Sequence, residues 1–189
     1  MTEINRTPEI LQKLKQLLNP QNDNYQFLGF TLNLKTATLS DNIDKTNPEE
    51  VSIKLLPAIL SHYTQAKPTP TTGKLVKFKD IPGGYSYEEA FVKRAIQPVA
   101  KAFGEKPELM PKAAQLLGGK PLSLGDTSFV VESLKGIPLT YILWSTEEFP
   151  AEVSILYDTS ASSYLPTEDL AVLGELTTIR LLQAKNHIK

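Results

Sequence analysis

The 189-residue sequence predicts an α+β fold, a mostly antiparallel sheet packed against several helices. Three observations predict it. Apolar residues recur at helical spacing near both ends of the chain. They alternate with polar residues along several short stretches between. The two kinds of segment are partly segregated, in the order helix, strands, helices, antiparallel meander, helix, and do not alternate as βαβ units. The length suits a single domain, 1–189, with a sizeable core.

The first helix is the clearest element. Ile10, Leu11, Leu14, Leu17 and Leu18 share one face. Thr7 suits the N-cap, Pro8 the first helical position, and Asn19-Pro20 the stop. The period then becomes two: Leu28, Phe30, Leu32 and Leu34 alternate with Gly29, Thr31 and Asn33, which predicts a strand that 36–39 either continue or follow as a second one. Residues 48–66 carry two patterns. Val51, Ile53 and Leu55 alternate as a strand would, and Pro57 breaks a continuous helix, so a short strand to Leu55 and a helix from Pro57 to Ala66 are favoured. One helix kinked at Pro57 is the alternative.

Residues 74–79 read as an edge strand whose lysines protect it from pairing with other chains. Pro82-Gly83-Gly84-Tyr85 is a turn, and Ser86 with Glu89 forms a capping box for a helix to about Phe103, kinked at Pro98. A shorter helix over 107–117 ends at Gly118-Gly119. Three strands follow, at 128–134, 140–144 and 153–157. The middle one is apolar on both faces and so central. Glu168 and Asp169 favour the positive end of the last helix, whose buried stripe is Val172, Leu173, Leu176 and Ile179. Residues 185–189 are expected to fray.

Composition excludes several function classes. The net charge is −1, from 20 basic and 21 acidic residues, so no basic excess favours nucleic acid. The absence of cysteine removes disulfides, thiolate zinc sites, cysteine-ligated iron–sulfur clusters and cysteine nucleophiles. No apolar run approaches the ~20 residues that span a bilayer, and 1–6 lack a signal pattern. The expectation is a cytoplasmic protein with neither a nucleic-acid nor a membrane partner.

From about residue 60 to 180 the chain resembles a bacterial family common in anaerobes, catalogued as domain of unknown function 3786. The resemblance is carried by Ser61-His62-Tyr63, by Lys77 to Tyr85 (KFKDIPGGY), by Gly125-Asp126, by Ile142-Leu143-Trp144 with Glu147 to Ala151, by Ser154 to Asp158, and by Tyr164 to Leu170. Where family members show Gly-Asp after the tryptophan, this chain has Ser145-Thr146. It also lacks the cysteine-rich amino-terminal segment of some relatives. The resemblance implies a fold and brings no activity with it.

His62, Tyr63, Gly83, Gly84, Tyr85 and Trp144 are the candidate ligand-binding residues. His62 borders an apolar stripe, where an imidazole serves acid–base work or axial ligation, the latter to a tetrapyrrole-like cofactor. The Gly83-Gly84 turn opens a helix, where free amides attract anions. Trp144 supplies an aromatic wall. Asp126, Glu147, Glu148 and Asp158 are candidate carboxylates, each read first as a solvated loop acid. No metal ligand and no catalytic residue is assigned, and the cofactor is unknown. The reading is a non-catalytic small-molecule or cofactor-binding accessory protein. An enzyme using His62 with nearby carboxylates is the alternative, and a homodimer through an exposed sheet edge is a third reading.

Overall fold

In the computed structural model, which describes residues 2–3, 7–20, 22–44, 50–145 and 149–188, two antiparallel sheets share one apolar core with the helices. The element order is β1 (Thr2–Glu3), α1 (Pro8–Leu18), β2 (Asn24–Phe27), β3 (Phe30–Asn33), β4 (Thr38–Asp41) and α2 (Glu50–Tyr63). Then come β5 (Leu75–Lys77), α3 (Glu88–Phe91), α4 (Gln97–Phe103), α5 (Leu109–Leu116), β6 (Lys120–Leu122), β7 (Thr127–Leu134), β8 (Ile137–Trp144), β9 (Glu152–Asp158) and α6 (Thr167–Lys185). The smaller sheet runs β1-β4-β3-β2 and the larger β5-β9-β8-β7-β6. The fold is α+β, as the segregation of periods predicts.

The amino-terminal helix forms as its sequence dictates. Thr7 Oγ1 accepts the Ile10 amide, and Asn19 closes the far end in the left-handed region at φ 43°. Lys135 Nζ donates to the Leu18 carbonyl, placing a cation where the helix dipole is negative. The strand expected from Leu28 to Leu34 is instead the second arm of a hairpin. Leu28 and Gly29 both have positive φ, 48° and 74°, so they form the two-residue loop between β2 and β3. Leu28 is buried, and its apolar side chain made the loop look like strand.

Residues 50–63 are one helix, which corrects the strand-then-helix reading and selects the alternative. Leu56, Ile59, Leu60 and Tyr63 are buried at 3.6-residue spacing. Burying that stripe outweighs the roughly 3 kcal/mol that Pro57 costs in a helix interior.

Among the described residues β5 is an edge strand, paired with β9 alone. The capping box expected from Ser86 and Glu89 does not form, because 84–87 make a 3-10 turn that leads into α3 without a side-chain cap. Between α3 and α4, Val92–Ile96 form a π turn in which the Gln97 amide reaches Val92. This wide turn immediately precedes Pro98, where a kink was expected. The Ala95 carbonyl is met by Thr178 Oγ1 at 3.0 Å. α5 ends in a Schellman motif, Gly119 N–H to Ala114 and Gly118 N–H to Gln115, with Gly118 at φ 82°.

β8 is central, between β9 and β7. α6 crosses the inner face of the large sheet. Tyr157 donates to the Leu170 carbonyl at 2.8 Å, and Tyr141 lies against Thr178 and Gly174. α6 is therefore buried over far more than one stripe. Leu173, Leu176, Thr177, Arg180 and Leu181 are all covered, whereas Val172 and Ile179 are only half-buried. The carboxyl-terminal turn is tied down: His187 Nε2 meets Asp44 at 2.5 Å, where fraying was expected.

Candidate functional site

The first turn of α6 gathers three segments that are distant in sequence. Thr167 Oγ1 donates to the Pro82 carbonyl at 2.7 Å, Glu168 accepts from Tyr87 Oη at 2.7 Å, and Asp169 Oδ2 meets His62 Nδ1 at 2.5 Å. Consecutive helical residues point about 100° apart, so one turn can reach α2 on one side and the Pro82–Tyr87 segment on another.

His62 lies in the last turn of α2, with its side chain 51% exposed, while that of Asp169 is 10% exposed. The carboxylate fixes the ring orientation and draws the shared proton to Nδ1. Nε2 is then the nitrogen left for a ligand. His62 lines a cavity of about 290 Å³ together with Gln65, Ser162, Tyr164, Leu165 and Pro166. Ser162 is exposed, and the Ser163 hydroxyl is spent on the Ser160 carbonyl.

Tyr63 points the other way from its neighbour. It is buried, stacked on Tyr164 at 6.1 Å, and donates to the Lys135 carbonyl at 2.8 Å. Burial pushes its phenol well above the usual range, helped by the neighbouring Tyr164 and Glu132. It braces the site without facing it. Gly83, at φ 82°, adjoins the same turn of α6 through Thr167, and neither it nor the 83%-exposed Tyr85 lines the His62 cavity. The Gly84 amide is taken by Ile81 and the Ser86 amide by Gly83, so the turn offers fewer donors to an anion than its glycines suggest. Gly84 has a packing reason: a Cβ there would sit 2.0 Å from the Phe78 carbonyl oxygen.

Trp144 is not at this site, and its expected place beside His62 is corrected. Tyr63 fixes the His62 end of α2 at the Lys135–Gly136 turn, where β8 begins, and Trp144 is the last residue of β8. Those ends of the eight-residue strand are seven residue steps apart, roughly 23 Å. Trp144 is 39% exposed beside Gly125, close to where Asp126 accepts the Ser145 amide at 2.6 Å. Asp126 therefore cannot reach His62. Asp158 is buried and structural. Burial opposes its ionisation, but amides of Thr72 and Ser160, the Thr72 hydroxyl and the Gly73 amide hold it far below the usual carboxylate range. Glu147 and Glu148 lie outside the described residues.

Sequence reasoning missed Asp169 as the partner of His62. Its position at a helix start has a sufficient local reason in the dipole, and a separation of 107 positions along the chain carries no spacing signal. Among the described residues no group of three His, Cys, Asp or Glu side chains could hold a metal ion. Among them, too, no helix is long and apolar enough to cross a membrane.

No curated protein and no solved structure matches the chain. A family model described as "Domain of unknown function (DUF3786)" matches residues 11–180, reaching well upstream of the segments that carry the resemblance in sequence. Through that match, which covers the His62–Asp169 pair and every other residue of the site, the chain belongs to the domain of unknown function 3786 family.

Proposed function

We propose that this chain is a small-molecule-binding accessory protein that holds a polar ligand in the His62 cavity. One observation carries the reading: Asp169 engages Nδ1 of a half-exposed His62 at 2.5 Å, on a cavity large enough for a small ligand. A histidine oriented in this way presents Nε2 as an acceptor when neutral and as a donor when protonated. The ligand class that fits is a small molecule bearing a hydroxyl, amide or carboxyl group, with the Ser162 hydroxyl on the same wall. Side-chain 15N NMR of His62 tests it with a panel of small carboxylic acids, alcohols and amides, and with haem followed by absorbance. Binding moves Nε2 more than Nδ1, and Asp169→Asn weakens it. If no member of the panel moves His62 and haem absorbance is unchanged, the reading fails.

The same geometry favours a second reading, an enzyme with His62 as general base and Asp169 as its orienting carboxylate. It differs from the sequence-based alternative in its partner, since Asp126 lies elsewhere. An activated ester such as p-nitrophenyl acetate separates the two readings. Catalysis requires a rate above background that His62→Ala removes. Equal rates in both proteins leave only binding.

A further inference from the structure

We propose that a second ligand site lies between α3 and α6 and takes a small amine with an apolar body. Tyr87, Ala90, Phe91, Ala171 and Val172 line a slot of about 190 Å³, distinct from the His62 cavity. An apolar cavity of about 150 Å³ holds a benzene ring, so this slot has room for one ring and a short arm. Its floor is rigid. Phe91 is buried and stacked on Phe78, with centroids 4.4 Å apart and planes 21° apart. The π turn begins at Val92, directly after that floor residue, and such wide turns occur often at functional sites.

The polar groups at the slot set the class of ligand. Glu168 accepts from a phenol, Tyr87 Oη, and from its own backbone amide, and these neutral donors leave its negative charge in place. Arg94 stands 3.7 Å from Glu175, too far for a good hydrogen bond, with its side chain 64% exposed. Two carboxylates therefore face one guanidinium. An anionic ligand meets a net repulsive rim, and an ammonium meets Glu168 together with the face of Tyr87. The positive end of α6 opposes an ammonium there, but its half-charge is smaller than the full charge of the carboxylate. This also accounts for Val172, an apolar residue of a central helix that nonetheless remains half-exposed.

Three probes of one shape test the proposal: 2-phenylethylamine, 2-phenylethanol and phenylacetate, followed by methyl NMR of Ala90, Ala171 and Val172. The amine shifts these methyls saturably, with the alcohol about ten-fold weaker and the acid without effect. Glu168→Gln and Glu175→Gln each weaken the amine several-fold and leave the alcohol unchanged, because glutamine keeps the hydrogen-bonding oxygen while losing the charge. Val172→Phe fills the slot and abolishes amine binding. Equal affinity for all three probes, preference for the acid, no saturable shift at millimolar amine, or a response confined to His62 each overturns the proposal. The two surface glutamine variants keep the test decisive even where Val172→Phe fails to fold.

Discussion

Arg180 has a side chain with 0% exposure and a permanent charge. Its Nη1 and Nη2 both donate to Asp41, at 2.6 and 2.8 Å, its Nε donates to the Leu28 carbonyl at 3.0 Å, and the Phe30 ring lies 3.8 Å away. The hairpin loop and the end of β4 thus wrap around one guanidinium carried by α6. Such a pair gains little over a well-packed apolar substitute, but losing one partner strands the other. Arg180→Met is expected to destabilise the protein by about 3–5 kcal/mol in urea unfolding, and adding Asp41→Asn to recover part of that loss. A single-variant loss under about 1 kcal/mol contradicts this account. Neither Arg180 nor Asp169 stood out in the sequence. Arginine late in a helix and aspartate early in one each have an ordinary local explanation, and their partners lie 139 and 107 residues away.

At the scale of elements, the sequence was legible wherever a segment's own residues decide its structure. α1 has its cap, its stripe and its stop within 7–20, and β7 to β9 follow from alternation and turns. It misled where neighbours decide. The Leu28-Gly29 loop was hidden because a buried core supports leucine at positive φ, and α2 survives Pro57 because its stripe meets the core. α6 departs furthest from expectation, with helices and a sheet covering most of its circumference. Gly174 marks its closest approach, since a Cβ there would lie 2.4 Å from Tyr157 Oη and 2.6 Å from Phe91 Cε2. Gly174→Ala gains up to about 1 kcal/mol of helix propensity and loses about 1–3 kcal/mol to overpacking against two rings. A lower melting temperature is expected, and an unchanged or raised one would show that the rings yield.

Across the whole molecule, two buried carboxylates join parts that the chain order separates, and both make stability depend on pH. Asp41 ties the small sheet to α6. Burial alone would raise its pKa, but hydrogen bonds from Arg180, Ile43 and Asp44 and the guanidinium charge hold it below the usual range. Asp158 ties the 72–73 loop to the end of β9, and its pKa is depressed further. A folded-state pKa below the unfolded one means that the unfolded chain binds protons first as pH falls. The stabilisation from both groups is therefore fully present above the unfolded carboxylate pKa of about 4 and is lost progressively below it. Urea midpoints should be flat in this respect from neutral pH to about 5 and then fall steeply. Asp158→Asn lowers the plateau, because asparagine cannot accept all of those bonds as a carboxylate does, and it also makes the acid limb shallower. A variant with the wild-type acid slope would show that other carboxylates drive the acid transition. If the slope flattens instead, the 72–73 anchor is one of the contacts through which protons unfold the protein.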